Sequence, residues 1–196
     1  MGEQNELFYV DRLGSLIPSG VGLPLFLTFG NGEGNMKKIG IVMGSDSDLP
    51  IVQKAIDVLK EYGADYEVHI YSAHRTPEQA REFSRNARAN GFAAIIAAAG
   101  KAAHLAGAIA ANTTIPVIGL PIKSSTLDGL DALLSTVQMP SGIPVATVAI
   151  DGAANAALLA LQILSVEEKE IADKLDNARI TAAEAILLKD KKLQEI

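Results

Sequence analysis

Short apolar segments alternate with amphipathic helical segments from Lys37 onward, and this alternation constrains the fold more than any other feature of the sequence. Segments typical of buried strands lie at 38–44, 66–71, 92–98, 116–121 and 144–150. Each is followed by a segment with helical spacing of its apolar residues, at 50–62, 76–90, 102–111, 127–137 and 153–164. The second of these helices begins with a capping-box pattern, Thr76-Pro-Glu-Gln79. Because strands this apolar must be covered on both faces, we predict a three-layer, doubly wound (flavodoxin-like) α/β fold with a parallel sheet of about five strands.

The length and composition of the chain favour one domain and exclude several kinds of chemistry. The chain has 196 residues, 48% of them hydrophobic and 20% charged, which is enough apolar material for one substantial core. It has no cysteine, so disulfides, thiolate nucleophiles and cysteine-ligated metals are excluded. Its net charge of −6 argues against nucleic acid as a partner, because binding to a phosphate backbone requires a basic surface. A small anionic ligand can still bind through local positive charge.

The segments on either side of the α/β domain, 36–164, differ from it in composition. Residues 1–35 contain an apolar stretch that prolines and glycines interrupt, and that is shorter than the roughly 20 residues of a membrane-spanning helix. We interpret this segment as a leader or disordered extension and expect neither membrane insertion nor export, which predicts a cytoplasmic protein. Residues 165–196 are expected to form a helical extension whose charged helix, 166–188, packs on the surface of a neighbouring subunit.

Polar side chains follow each of the first three predicted strands. The clusters are Gly44-Ser-Asp-Ser-Asp48, Ser72-Ala-His-Arg75 and Gly100-Lys-Ala-Ala-His104. In an open parallel sheet the carboxyl ends of the strands lie at one edge, where ligands bind and helix N-termini present unpaired N–H groups. The sequence therefore predicts one site that combines hydroxyls, carboxylates, two histidines, an arginine and a lysine.

The first two clusters also have interpretations without a ligand, and the residues alone leave both open. Ser45, Asp46 and Asp48 suit a phosphate and a ribose, but serine and aspartate are equally common helix caps. Arg75 beside Ser72 suits a phosphate, because guanidinium offers paired donors, or a surface ion pair.

The two histidines that follow strands differ in their setting. His74 is the candidate proton carrier, because imidazole exchanges a proton near neutral pH, although a lone histidine is more often structural. His104 stands at the start of a small-residue helix, which is more typical of a packing or substrate-orienting residue. Neither has a second ligand at a fixed spacing, so we predict no metal site.

Four longer motifs resemble the signatures of one enzyme family. They are Gly44-Ser-Asp-Ser-Asp-Leu-Pro50, Ser72-Ala-His-Arg-Thr-Pro77, Ala103-His-Leu105 and Leu133-Leu-Ser-Thr-Val-Gln-Met-Pro140. In this order they resemble the class I N5-carboxyaminoimidazole ribonucleotide mutases (the PurE family), historically called the catalytic subunit of phosphoribosylaminoimidazole carboxylase. The resemblance extends over residues 37–164, and several motifs in the same order are more specific than any single glycine loop.

The resemblance implies an isomerase of de novo purine (IMP) biosynthesis that moves a carboxyl group reversibly from N5 of aminoimidazole ribonucleotide to ring carbon C4. It implies no ATP, metal or organic cofactor, and a homo-octamer with sites near the subunit interfaces. By the family pattern Ser45, Ser72 and Arg75 bind the phosphate, Asp48 binds the ribose, and His74 is the general acid and base. The remaining substrate-binding positions that it implies are Asp46, Ala73, Gly100, Lys101, Ala103, His104 and Leu105.

Two residues depart from the family pattern. Lys101 stands where the family usually has a second glycine, and Ala106 stands where it usually has proline. A lysine at that position either crowds the carbon dioxide pocket or offers a charge to the migrating carboxylate. These departures leave two alternatives open, direct carboxylation of aminoimidazole ribonucleotide and ribonucleotide binding without catalysis. A signalling receiver domain is disfavoured, because the strand that ends Ala97-Ala-Ala-Gly100 has no aspartate there.

Overall fold

The computed structural model describes residues 36–102, 104–125 and 127–195, and the backbone of two short strands nearer the N-terminus. The chain divides into two units, Met1–Asn35 and Met36–Ile196. In the first unit the strands Phe8–Val10 and Leu16–Pro18 pair in antiparallel fashion. The rest of the predicted extension over 1–35 lies outside the described residues, so its interpretation stays a prediction.

The second unit contains a sheet of five parallel strands flanked by helices, which confirms the predicted fold class. The strands are β1 (Lys38–Met43), β2 (Tyr66–Ile70), β3 (Phe92–Gly100), β4 (Val117–Ile122) and β5 (Ala146–Thr147). The helices are α1 (Leu49–Tyr62), α2 (Pro77–Asn86), α3 (Leu105–Ala110), α4 (Leu130–Val137), α5 (Ala153–Leu164) and α6 (Lys169–Gln194). The strands lie in the order β2-β1-β3-β4-β5, and each neighbouring pair is parallel.

The largest difference from the predicted elements is at the last strand. β5 contains only Ala146–Thr147, whereas the apolar run predicted a strand over 144–150. The segment lies at the edge of the sheet, where it pairs with β4 alone, and Pro144 has no N–H to donate. Farther along, the N–H groups of Val148 and Asp151 still donate to β4 carbonyls, so the chain follows the sheet without strand geometry. α2 and α3 are also shorter than predicted, and α6 extends past the predicted end at 188.

Two buried clusters on opposite faces of the sheet form the core. Because successive residues of a strand point to opposite faces, Ile41 and Met43 of β1 pack in the cluster with α1 and α5, whereas Val42 packs in the cluster with α2 and α3. Burial of each such side chain stabilises the fold by about 1.5–3 kcal/mol relative to exposure. The sheet is thus packed from both sides, which fixes the positions from which its loops emerge.

The direction of the chain across the sheet reverses at β1. β2 lies on one side of β1, and β3, the next strand in sequence, lies on the other. The loops that leave the carboxyl ends of β1 and β3 therefore diverge and open a crevice, as at the switch point of other doubly wound sheets. The architecture places this crevice beside the three polar clusters.

α6 lies mostly outside the core. It buries Ile171 and Leu175, whereas the residues from Asp176 to Glu195 are exposed. Its exposed large apolar side chains are Ile180, Ile186, Leu187, Leu188 and Leu193, which are 56% to 67% exposed. Among the helices of the described ranges, α6 included, none has the length and apolarity needed to cross a membrane.

Candidate active site

A cavity of about 550 Å³ opens at the carboxyl ends of the strands, and its volume is typical of a small-molecule site. Seven of the predicted site residues line it: Ser45, Asp48, Ser72, His74, Arg75, Gly100 and Lys101. They come from all three predicted clusters, so the structure brings those clusters together. A larger hollow, of about 920 Å³, lies at the amino ends of β4 and β5 and is lined by none of the predicted site residues. The chemistry of the lining therefore places the candidate site in the smaller cavity.

The loop after β1 supplies a hydroxyl and a buried carboxylate. The Ser45 side chain accepts a hydrogen bond from the Ser47 N–H at 3.3 Å and caps the short 3₁₀ turn Asp46–Asp48. Asp48 is only 7% exposed, and its carboxylate makes no capping hydrogen bond to α1. Burial raises the pKa of the Asp48 carboxyl above its ordinary value, and the hydrogen bond from the Ser47 hydroxyl partly opposes this. Helix capping thus explains the presence of Ser45 in this loop, but it does not explain the buried carboxylate of Asp48.

The loop after β2 is held in shape by its own hydrogen bonds. The Thr76 hydroxyl oxygen accepts from the Ser72 N–H at 2.8 Å and donates to the Ser72 carbonyl at 3.2 Å. The Ser72 hydroxyl in turn accepts from the Arg75 N–H at 3.2 Å. The predicted capping box is therefore wrong in its detail, because the Thr76 side chain makes no capping bond to α2 and closes the preceding loop instead. This closed turn fixes the positions of the residues between Ser72 and Thr76.

Arg75 and His74 project from this turn into the lining of the cavity. Arg75 Nη2 donates to the Gly44 carbonyl at 2.6 Å and so links the loops after β2 and β1. Within the described ranges no carboxylate lies within ion-pair distance of Arg75, which disfavours the surface-pair interpretation, and its charge acts on Asp48 from farther away. His74 is exposed and has no hydrogen-bond partner among the described residues, so its ring nitrogens are free to meet a ligand.

Gly100 ends β3 and Lys101 begins the loop after it, and both residues line the cavity. Lys101 has a φ of +59°, in the left-handed region that favours glycine. Ala103 lies outside the described residues. The chain then enters α3 at Leu105, which is 2% exposed and belongs to the core.

His104 does not line the cavity. Its Nδ1 lies 2.6 Å from the Ser135 carbonyl, and its ring covers Gly107 so closely that a Cβ there would overlap it. The histidine therefore links the start of α3 to α4, and its role as a packing or a substrate-orienting residue stays a prediction. Asp46, Ala73 and Leu105 also lie outside the cavity lining, and Asp46 instead accepts a hydrogen bond from the Ser45 hydroxyl. The substrate-binding roles that the resemblance implies for these residues stay predictions.

The loop after β4 adds residues that the sequence analysis did not select. Ile122, the last residue of β4, lines the cavity together with Lys123 and Ser124 of the loop that follows. Lys123 Nζ lies 3.0 Å from Asp128 Oδ1, and its N–H donates to Asp151 Oδ1 at 2.8 Å. The rule that ligands bind at the carboxyl ends of strands applies equally to this strand. The position was therefore a signal, and so was the polar run Lys123-Ser-Ser-Thr126, which the sequence analysis did not select.

The model of the AIR carboxylase family matches residues 38–185 of this chain. The chain belongs to the AIR carboxylase family. The match contains all three predicted clusters and confirms the resemblance seen in the sequence. Among curated relatives, the N5-carboxyaminoimidazole ribonucleotide mutase of Pyrococcus abyssi is 61% identical over 144 residues, which are 74% of this chain and 83% of that protein. The mutase of Thermotoga maritima is 51% identical over 161 residues, 82% of this chain and 94% of that protein.

A solved member of the family has the same fold. The crystal structure of Treponema denticola PurE superposes with a TM-score of 0.73 at 35% sequence identity, and the superposition covers 79% of this chain and 97% of that one.

The charged residues that line the cavity of the present chain favour an anionic ligand. Arg75, Lys101 and Lys123 line it together with His74, against the single carboxylate of Asp48. The chain as a whole carries a net charge of −6, so this is a local concentration of positive charge. Because guanidinium, ammonium and hydroxyl groups all donate to oxyanions, the site can hold a phosphate beside a group that exchanges a proton.

Proposed function

We propose that this chain is an N5-carboxyaminoimidazole ribonucleotide mutase, which moves the carboxyl group of its substrate reversibly from N5 to C4 in de novo purine biosynthesis. The observation that carries this proposal is the meeting of Arg75, His74 and Lys101 in one cavity at the switch point of the sheet. The identity of 51% to 61% with curated mutases supports it.

The loops after β1 and β2 supply the groups for the ribose phosphate. Ser45 and Ser72 offer hydroxyls, and Arg75 brings a guanidinium that has no carboxylate within ion-pair distance among the described residues. Asp48 is suited to accept hydrogen bonds from ribose hydroxyls, since its buried carboxylate has acceptor capacity left. This set fixes one end of the nucleotide and leaves the base near the loop after β3.

His74 moves the proton in the proposed reaction. Cleavage of the bond between N5 and the carboxyl carbon releases carbon dioxide and leaves the electron pair on N5, which takes a proton from the His74 imidazolium. C4 then attacks the carbon dioxide, and the neutral imidazole removes the C4 proton to restore the aromatic ring. One proton is given and one is taken back, so the reaction balances with no further reactant.

A neighbouring subunit completes the proposed enzyme. The exposed apolar residues of α6 need a covering surface, and the homo-octamer implied by the family resemblance provides one. Covering the site also keeps carbon dioxide beside C4 until it is recaptured. Light scattering on the full chain tests this, with an expected mass of eight times the 20.6 kDa chain mass. We place the enzyme in the cytoplasm, which subcellular fractionation tests.

The deciding experiment follows the migrating carbon. The purified protein is given N5-carboxyaminoimidazole ribonucleotide labelled in its carboxyl carbon, with unlabelled bicarbonate present. Label retained in the C4-carboxylated product supports the mutase. Product that forms from aminoimidazole ribonucleotide and bicarbonate with little label carried over points to direct carboxylation instead. Binding without any product reduces the protein to a ribonucleotide binder.

A further inference from the structure

Lys101 occupies a backbone conformation that does not suit a side chain. Its φ of +59° lies in the left-handed region, where a Cβ crowds the following carbonyl. Glycine adopts this conformation without that crowding, and glycine is the residue that the family resemblance places here. Backbone geometry therefore gives no reason for a lysine at this position, and the reason must lie in the side chain.

Of the two lysines that line the cavity, Lys101 is the one whose ammonium has no carboxylate partner among the described residues. Lys123, the other lysine in the lining, has its Nζ 3.0 Å from Asp128 Oδ1. Across the described ranges, no carboxylate lies within ion-pair distance of Lys101. A strained residue whose charge is unmatched among the described residues is explained by a ligand that supplies the opposite charge.

The position of Lys101 in the sheet separates it from the phosphate-binding groups. Ser72 and Arg75 follow β2 and Ser45 follows β1, whereas Lys101 follows β3, on the far side of β1 from β2. Strands two places apart lie about 10 Å apart, since neighbouring strands are spaced by about 4.8 Å. A ribonucleotide held by its phosphate at β2 extends its base across β1 toward β3. Lys101 is thus on the side where the base and its carboxylate lie.

We propose that the Lys101 ammonium binds the migrating carboxylate, so that it selects carboxylated ribonucleotides over the uncarboxylated one. This inference rests on the proposed function, because the carboxylate belongs to the proposed substrate and product. The lysine is a binding residue here, and His74 remains the proton carrier. The same charge faces the carboxyl group on N5 before transfer and on C4 after it.

The test compares two ligands that differ only in the carboxylate. Dissociation constants of 4-carboxy-5-aminoimidazole ribonucleotide and aminoimidazole ribonucleotide are measured by calorimetry on the full-length wild type, Lys101→Met and Lys101→Gly. Both variants should weaken binding of the carboxylated nucleotide about tenfold, as loss of a charge-assisted contact predicts, and leave the other nucleotide within about twofold. The loss should shrink at high salt, which screens exposed charges. Lys60→Met is the matched control, because it removes the same charge from the exposed end of α1.

The outcomes separate this inference from the proposed function. If the wild type binds both nucleotides and the Lys101 variants weaken both equally, or neither, the carboxylate assignment is overturned and the mutase proposal is untouched. If the wild type binds neither nucleotide, the proposed function is overturned and the inference with it. A selective loss that Lys60→Met reproduces assigns the effect to net charge, which also overturns a role specific to Lys101.

Discussion

Replacing Lys101 with glycine should stabilise the folded protein even though it weakens the proposed carboxylate site. At a φ of +59°, a residue with a Cβ is less stable than glycine by about 1–2 kcal/mol. Glycine, however, gives the unfolded chain more conformational freedom, which lowers stability by about 0.4–1 kcal/mol. The two effects oppose each other, so Lys101→Gly should raise the free energy of unfolding by about 0.5–1 kcal/mol.

Two further variants isolate the backbone contribution. Lys101→Ala removes the charge and the long side chain but keeps the Cβ, so it should not be stabilised. Gly63→Ala is the reverse experiment: Gly63 has a φ of +73°, and a Cβ there would meet only Lys174 Nζ, at 3.5 Å. Because the methyl group has room, the loss of about 0.5–1 kcal/mol expected for Gly63→Ala measures the balance of backbone strain and unfolded-chain entropy without a packing contribution.

Urea unfolding followed by circular dichroism provides the measurement, at one fixed protein concentration because association stabilises the folded state. In a chain of this size, 1 kcal/mol corresponds to a shift in Tm of about 2–4 °C, which thermal unfolding resolves. Equal stability of the glycine and alanine variants at position 101 would refute the reasoning, since it would mean that the Cβ is not strained there. A stabilised Lys101→Ala variant would instead assign the effect to removal of the ammonium.

Three other predictions concern the cavity. His74→Asn should retain ribonucleotide binding and lose about 10²–10⁴-fold in kcat, measured by single turnover; wild-type turnover would remove His74 from the mechanism. Arg75→Ala should weaken the binding of aminoimidazole ribonucleotide but not that of the corresponding nucleoside, because the lost contact is to the phosphate. An equal loss of affinity for both ligands would contradict this. Asp48 has a pKa raised by burial, so its contribution to stability is present below the ordinary value of 3.8 and is lost as pH rises through the raised folded value. Asp48→Asn should therefore gain stability relative to wild type as pH rises above about 4 in urea titrations, and a difference that stays constant with pH would count against a buried carboxylate.

The sequence predicted those parts of the structure that depend on local pattern. The apolar run that became β1 and the helical spacing that became α5 lie within a residue of their observed bounds. The cavity was predictable because the carboxyl ends of parallel strands lie at one edge of the sheet, and the polar clusters follow those ends. Ser45, His74 and Arg75 followed from that rule without any knowledge of the contacts between them.

The parts that the sequence did not predict depend on partners from distant segments. Nothing near Thr76 indicates that its hydroxyl bonds back to Ser72 and not forward to the helix, since serine, threonine and aspartate serve either arrangement. His104 turned out to bond the Ser135 carbonyl, 31 positions later in the chain, which no local pattern specifies. β5 pairs with β4 only through Ala146 and Thr147, and the length of that pairing depends on the partner strand and not on the apolar run of β5 alone.

The interpretation of Lys101 depends on both the sequence and the structure. The sequence showed a departure from the family pattern and left two interpretations, crowding of the carbon dioxide pocket or charge for the carboxylate. Crowding alone gives no reason for the residue, because glycine would relieve both the crowding and the left-handed backbone strain at once. A lysine that is strained in the fold and unpaired among the described residues is accounted for only by what it does for a ligand. Stability and carboxylate affinity should therefore change in opposite directions in Lys101→Gly, and a variant that gains in both would break that link.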